Sequence, residues 1–178
     1  MKKILLFASV FCALLISVRA ADSTVTLSHV HLCCDKCVKG VGAAVSHVSG
    51  AKAACDKEAS TVTLTAADKA TLQKAVNALA GAGYFGESSD ASIKVSARTG
   101  AKDAKVKSLK VSGVHLCCGK CVKAVHEALS KVPGVKGNTA AKDATSFEVT
   151  GDFSPQAVFA ELHKAGLTGK VAVANPFN

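Results

Sequence analysis

The chain has 178 residues, with 22 lysines and arginines against 13 acidic residues and a formal charge of +9. Its lysines are scattered, it has one Tyr and no Trp, and no basic block is interleaved with stacking rings, so the residues offer no nucleic-acid surface. No Ser-His-Asp arrangement or carboxylate pair recurs along the chain, and we expect a binding protein rather than an enzyme.

Residues 1–20 read as an export signal. Lys2 and Lys3 precede an apolar run from Ile4 to Val18, and Val18-Arg19-Ala20 places small side chains at a cleavage site after Ala20. The run is shorter than the roughly twenty residues that span a bilayer as a helix. No second long apolar stretch follows, so no stable membrane insertion is expected, and the mature protein is expected in the periplasm or secreted. Cys12 leaves with the signal.

Val25, Leu27 and Val30 mark a first strand. The cluster Cys33-Cys34-Asp35-Lys36-Cys37 follows. Val38, Val41, Val45 and Val48 then recur at three- and four-residue steps, which predicts one face of a helix stopped by Gly50. A hairpin is predicted from 51–55 and 61–65. Asp68 caps a second helix with Leu72, Val76 and Leu79 facing inward, Gly83 ends it, and a final strand is placed at 91–95. Residues 96–105 lack a sustained apolar pattern and read as a linker allowing semi-independent motion of what it joins.

The order then repeats. Val30-His31-Leu32-Cys33-Cys34 recurs as Val114-His115-Leu116-Cys117-Cys118, with Cys37 matched by Cys121. Val106, Leu109 and Val111 give the strand, and Val122, Val125, Leu129 and Val132 the helix, stopped by Pro133-Gly134. The second hairpin is 135–139 with 146–150. Ser154 caps a helix carrying Val158, Phe159 and Leu162, Gly166 ends it, and the last strand is 170–174. The predicted fold class is α+β: two tandem ferredoxin-like βαββαβ domains, 23–95 and 106–174, each a four-stranded antiparallel sheet with two helices on one face.

Cys33, Cys34, Cys37, Cys55, Cys117, Cys118 and Cys121 remain after cleavage, an odd number, and six of them form two tight clusters. Staples spread along the chain would suit an exported disulfide framework better. Each cluster opens a helix, where free N–H groups and the helix dipole favour thiolate over thiol. Thiolates bind soft ions, Cu(I) first here, with Hg(II) and Zn(II) open. Cys33 and Cys117 offer a third sulfur to each pair, and His31 and His115 an imidazole. Disulfide exchange is the other chemistry of a Cys-x-x-Cys at a helix start.

With its flanking valines and Gly50, the segment from Leu32 to Val38 resembles the heavy-metal-associated domain, whose hallmark is a Gly-Met-x-Cys-x-x-Cys loop opening the first helix of a ferredoxin-like fold. That family includes copper chaperones, modules of metal-pumping ATPases and a periplasmic mercury-binding protein. The resemblance implies Cys34 with Cys37, and Cys118 with Cys121, as metal thiolates, and a membrane metal transporter or ATPase as the receiving partner. It also offers Tyr84 and Phe85 as a shield for the site, with packing in the core as their other role. His31-Leu32 and His115-Leu116 stand where the family has Gly-Met, and the extra cysteine is a further departure. The remaining histidines, His29, His47, His126 and His163, are expected at the surface, and Cys55 as a strand residue.

Overall fold

The computed structural model describes residues 22–172, so the export signal and the last residues of the final predicted strand lie outside the described residues. The first copy runs β1 (Ser23–Ser28), α1 (Asp35–Ser46), β2 (Lys52–Asp56), β3 (Thr61–Ala66), α2 (Lys69–Gly81) and β4 (Glu87–Ser88). The second runs β5 (Val106–Ser112), α3 (Gly119–Ser130), β6 (Val135–Asn138), β7 (Ser146–Phe153), α4 (Pro155–Lys164) and β8 (Lys170–Val171). The sheet orders are β2-β3-β1-β4 and β6-β7-β5-β8, every pairing antiparallel. Two ferredoxin-like sheets, each carrying two helices, are therefore present.

Alternation in the strands explains the core. Val25 and Leu27 of β1 and Val62 and Leu64 of β3 point one way and are buried, as successive strand residues on one face must be. Val41 and Val45 of α1 and Leu72, Val76 and Leu79 of α2 cover that face. Leu109, Val111, Phe147 and Val149, beneath Val125, Leu129, Val158 and Leu162, do the same in the second copy. Val48 and Val132 were expected on the helices but follow them, since α1 ends at Ser46 and α3 at Ser130.

The expected strand at 91–95 is absent, and two residues of β4 take its place, pairing Leu27 with Ser88 and Ser28 with Glu87. The reason is local hydrogen bonding. Asp90 turns the chain by accepting from the Ser92 N–H and hydroxyl. The Gln73 side chain of α2 then takes both the N–H and the carbonyl of Lys94, so that backbone is satisfied away from the sheet. Ile93 is buried without being in a strand.

Semi-independent motion was expected of the two copies, yet backbone hydrogen bonds join them. Phe85 N–H donates to the Gly166 carbonyl at 3.1 Å, and Thr168 N–H donates to the Gly83 carbonyl at 2.9 Å. These two bonds flank an antiparallel bridge between Tyr84 and Leu167. Because Gly83, Tyr84 and Phe85 are the repeat counterparts of Gly166, Leu167 and Thr168, the contact is self-complementary about a pseudo-two-fold axis.

Candidate metal centre

That axis brings the cysteine clusters together. Cys34 and Cys118 occupy the N-cap positions of α1 and α3, with extended backbone, and Cys37 and Cys121 lie in the first helical turns. Each N-cap carbonyl accepts from the N–H of the cysteine three residues on, Cys37 at 3.0 Å and Cys121 at 3.1 Å. This spacing turns both sulfurs of each pair to the same side, 3.8 Å apart in the first copy and 3.7 Å in the second.

The sulfurs of the two copies interleave. Cys33 Sγ lies 3.5 Å from Cys118 Sγ and 3.6 Å from Cys121 Sγ, and Cys117 Sγ lies 3.7 Å from both Cys34 Sγ and Cys37 Sγ. On the axis, Cys34 and Cys118 are 3.9 Å apart, and Cys37 and Cys121 are 4.0 Å apart. All six candidate residues thus form one cluster where two separate clusters were expected. Cys33 and Cys117 turn toward the opposite copy while keeping contact with Cys37 and Cys121 of their own, at 3.6 and 3.7 Å. The adjacent Cys33 and Cys34 keep their sulfurs within 4.8 Å of each other, both beside Cys118. All six are free thiols; Cys37 and Cys121 are buried and the others partly exposed. Cys55 sits in β2, outside the cluster, opposite Val62.

The histidines cross as well. His115 lies with Cys37, Cys117 and Cys121, and His31 with Cys33 and Cys121, all donor atoms within 4.8 Å in each group. The two differ in their surroundings. The Tyr84 hydroxyl donates to the Cys37 carbonyl at 2.8 Å and stands 3.1 Å from His115 Nε2. At the equivalent place beside His31 the residue is Leu167, and His31 Nε2 is buried with no hydrogen-bond partner among the described residues. Gly40 accommodates this tyrosine, since a Cβ there would collide with its hydroxyl. Ala124 is the residue at that position in the second copy.

Ionisation follows from the crowding of sulfurs. Cys118 is lowered to about 6, chiefly by the Cys121 N–H at the start of α3, a donor that stabilises thiolate. Burial raises Cys33, and it raises Cys117 to about 12. Cys37 and Cys121 are related by the axis and oppose each other: a thiolate on Cys37, held by S–H and imidazole donors, keeps Cys121 protonated. Without metal the cluster therefore stores protons that binding would release. Burial lowers His31.

Two further expectations change. His163 is half-buried, stacked on Phe85 with ring centroids 3.8 Å apart, and hydrogen-bonded to Thr168 Oγ1 at 3.0 Å. Phe85 therefore packs across the interface, and the cysteines are approached by Tyr84. Gly83 and Gly166, placed by the sequence at the ends of two helices, hold the copies together. Both have positive φ, and a Cβ at either would lie 2.5 Å from the backbone nitrogen of the opposite His115 or His31. Their matching positions in the two copies were the signal for this role.

No family model matches the chain, and no curated relative matches it. Solved structures with some likeness include a copper binding domain from HMA7, a P-type ATPase, 20% identical, covering 39% of this chain and 99% of that one, TM-score 0.36. The N-terminal soluble domains of Bacillus subtilis CopA are 13% identical over 86% of this chain and 95% of that one, TM-score 0.32. A third, described under crosstalk between Cu(I) and Zn(II) homeostasis, is 22% identical over 38% of this chain and 100% of that one, TM-score 0.33.

Proposed function

We propose that this chain is a soft-metal-binding protein whose two copies share one thiolate centre, with Cu(I) as its cargo. The observation that supports this reading is the gathering of six sulfurs from two helix starts, each 3.5–4.0 Å from at least three of the others. So many thiols gathered at two helix N-termini suit a thiophilic cation, because thiolate formation is favoured there and the cation neutralises it. The ligands are Cys34, Cys37, Cys118 and Cys121, joined by Cys33 and Cys117.

Cargo passes by ligand exchange. An incoming thiolate binds the ion before a protein thiolate leaves, and Cys34 and Cys118, partly exposed at the helix caps, are where exchange begins. Export through residues 1–20 places the protein in the periplasm or outside the cell, where it sequesters the ion or passes it to a membrane transporter or ATPase.

Anaerobic reduction followed by Cu(I) titration against a competing chelator tests the reading. Uptake that is lost when Cys37 and Cys121 are both changed to Ser supports it. Absence of uptake by the reduced wild type, together with turnover of a disulfide substrate, replaces it with thiol–disulfide exchange.

A further inference from the structure

Resting on that reading, we infer that the six cysteines hold a polynuclear Cu(I)–thiolate core rather than one or two separate ions. The argument begins with sulfur separations. With a metal–sulfur bond of about 2.3 Å, a linear two-coordinate ion needs its sulfurs about 4.6 Å apart, a trigonal ion about 4.0 Å and a tetrahedral ion about 3.8 Å. The ten contacts within the cluster all fall between 3.5 and 4.0 Å, and both Cys-x-x-Cys pairs are too close for a linear ion.

Connectivity separates the remaining geometries. Four triangles have all three edges within 4.0 Å: Cys34/Cys37/Cys117, Cys33/Cys118/Cys121, Cys33/Cys37/Cys121 and Cys37/Cys117/Cys121. No quartet has all six of its edges among these ten contacts, so the sites the contacts close are three-sulfur sites rather than the tetrahedron a structural zinc ion takes. Three of the triangles contain Cys37 and three contain Cys121. Ions occupying neighbouring triangles must therefore share sulfurs, and bridging thiolates make one core. Every triangle draws on both copies.

Charge points the same way. Each cysteine releases its proton to solvent on binding, without oxidation or reduction. Four monovalent ions on six thiolates leave the core two charges negative, and the N-termini of α1 and α3 are placed to balance such a charge. Four divalent ions would make the core positive against those same helix ends. His115 with Cys37, Cys117 and Cys121 could instead enclose a single zinc ion, but its ring nitrogens already lie 3.1 and 3.3 Å from the Tyr84 hydroxyl.

The test uses the full mature chain, anaerobically reduced and loaded with Cu(I) beside a competing chelator. Ions per chain are counted, and coordination is read by X-ray absorption. The expected result is saturation at about four ions, one per closed triangle, with three sulfurs per copper and a metal–metal scattering path. Each of the four triangles contains Cys33 or Cys117, so changing both to Ser removes every three-sulfur site and is expected to cut the capacity from about four ions to at most two, one per remaining Cys-x-x-Cys pair, and to abolish the metal–metal path. Circular dichroism establishes that the variant is folded. Saturation of the wild type at one or two ions without a metal–metal path overturns the polynuclear core while leaving soft-metal binding in place. Unchanged capacity in the folded variant overturns it too, and if the variant does not fold, the wild-type count and spectrum decide. Absence of any uptake overturns both readings.

Discussion

The Tyr84 hydroxyl lies 3.1 Å from His115 Nε2, tying a loop of the first copy to the residue beside the second copy's cysteines. The same hydroxyl donates to the Cys37 carbonyl at 2.8 Å, so its one proton is committed there. Tyr84→Phe is expected to cost about 1 kcal/mol, the net worth of a buried hydrogen bond, and to lower the melting temperature by about 2–4 °C. Metal capacity should stay unchanged, because the hydroxyl is not a sulfur ligand. Calorimetry on the reduced protein and a metal count on the loaded one check the two halves of this expectation.

Gly83 and Gly166 should be far less tolerant. Alanine at either adopts an unfavourable positive φ and presses into the opposite backbone, at an expected cost of about 2 kcal/mol or more. The same change separates the sulfurs, so Gly83→Ala should weaken retention of Cu(I) against a chelator although it leaves every cysteine in place. Denaturant midpoints and chelator competition read these effects; wild-type values for both would show that the interface is not what assembles the centre.

Acid should loosen the same interface through His163. Burial lowers its pKa below the ordinary value of 6.5, so it stays neutral in the fold where the unfolded chain binds a proton. The stability gained by burying it neutral is complete above pH 6.5 and drains as pH falls toward the folded value, by at most about 1.4 kcal/mol per pH unit. His163→Gln loses this slope. Urea midpoints of the two proteins, compared from about pH 7.5 to about 5, should converge as pH falls. A constant gap would assign His163 a packing role alone.

The two late helices offer an internal comparison. Asp68 caps α2 by accepting from the Thr71 N–H at 2.8 Å, whereas the Ser154 side chain makes no capping bond to α4 and donates to Asp103 instead. Asp68→Ala should lower the melting temperature measurably and Ser154→Ala should leave it close to the wild-type value. Equal losses in thermal melts would refute the assignment of the caps.

Much of the fold was legible because it depends on local pattern. Alternating valines and leucines in β1 and β3 and the three- and four-residue steps in α1 and α3 each need only one buried face. The strand expected at 91–95 misled for a reason outside the pattern. Gln73, far along the chain, takes the backbone of Lys94 and leaves the pairing with β1 to Glu87 and Ser88. In the same way His163 was expected at the surface, because nothing around it in the chain announces Phe85.

The cysteine clusters are legible as chemistry in the sequence, since their spacing and helix-start position are properties of short segments. That they form a single centre was not visible, because it depends on a bridge between Tyr84 and Leu167 and on glycines whose missing Cβ atoms let two backbones meet. Sequence by itself determined the donors, the helix ends that favour their thiolates and the duplication that made two sets of them. Tertiary structure alone decided that Cys33 and Cys117 cross the axis. Each short segment can gather only its own three sulfurs, and only a second copy, packed within van der Waals reach, supplies the opposing sulfurs that make one shared cluster.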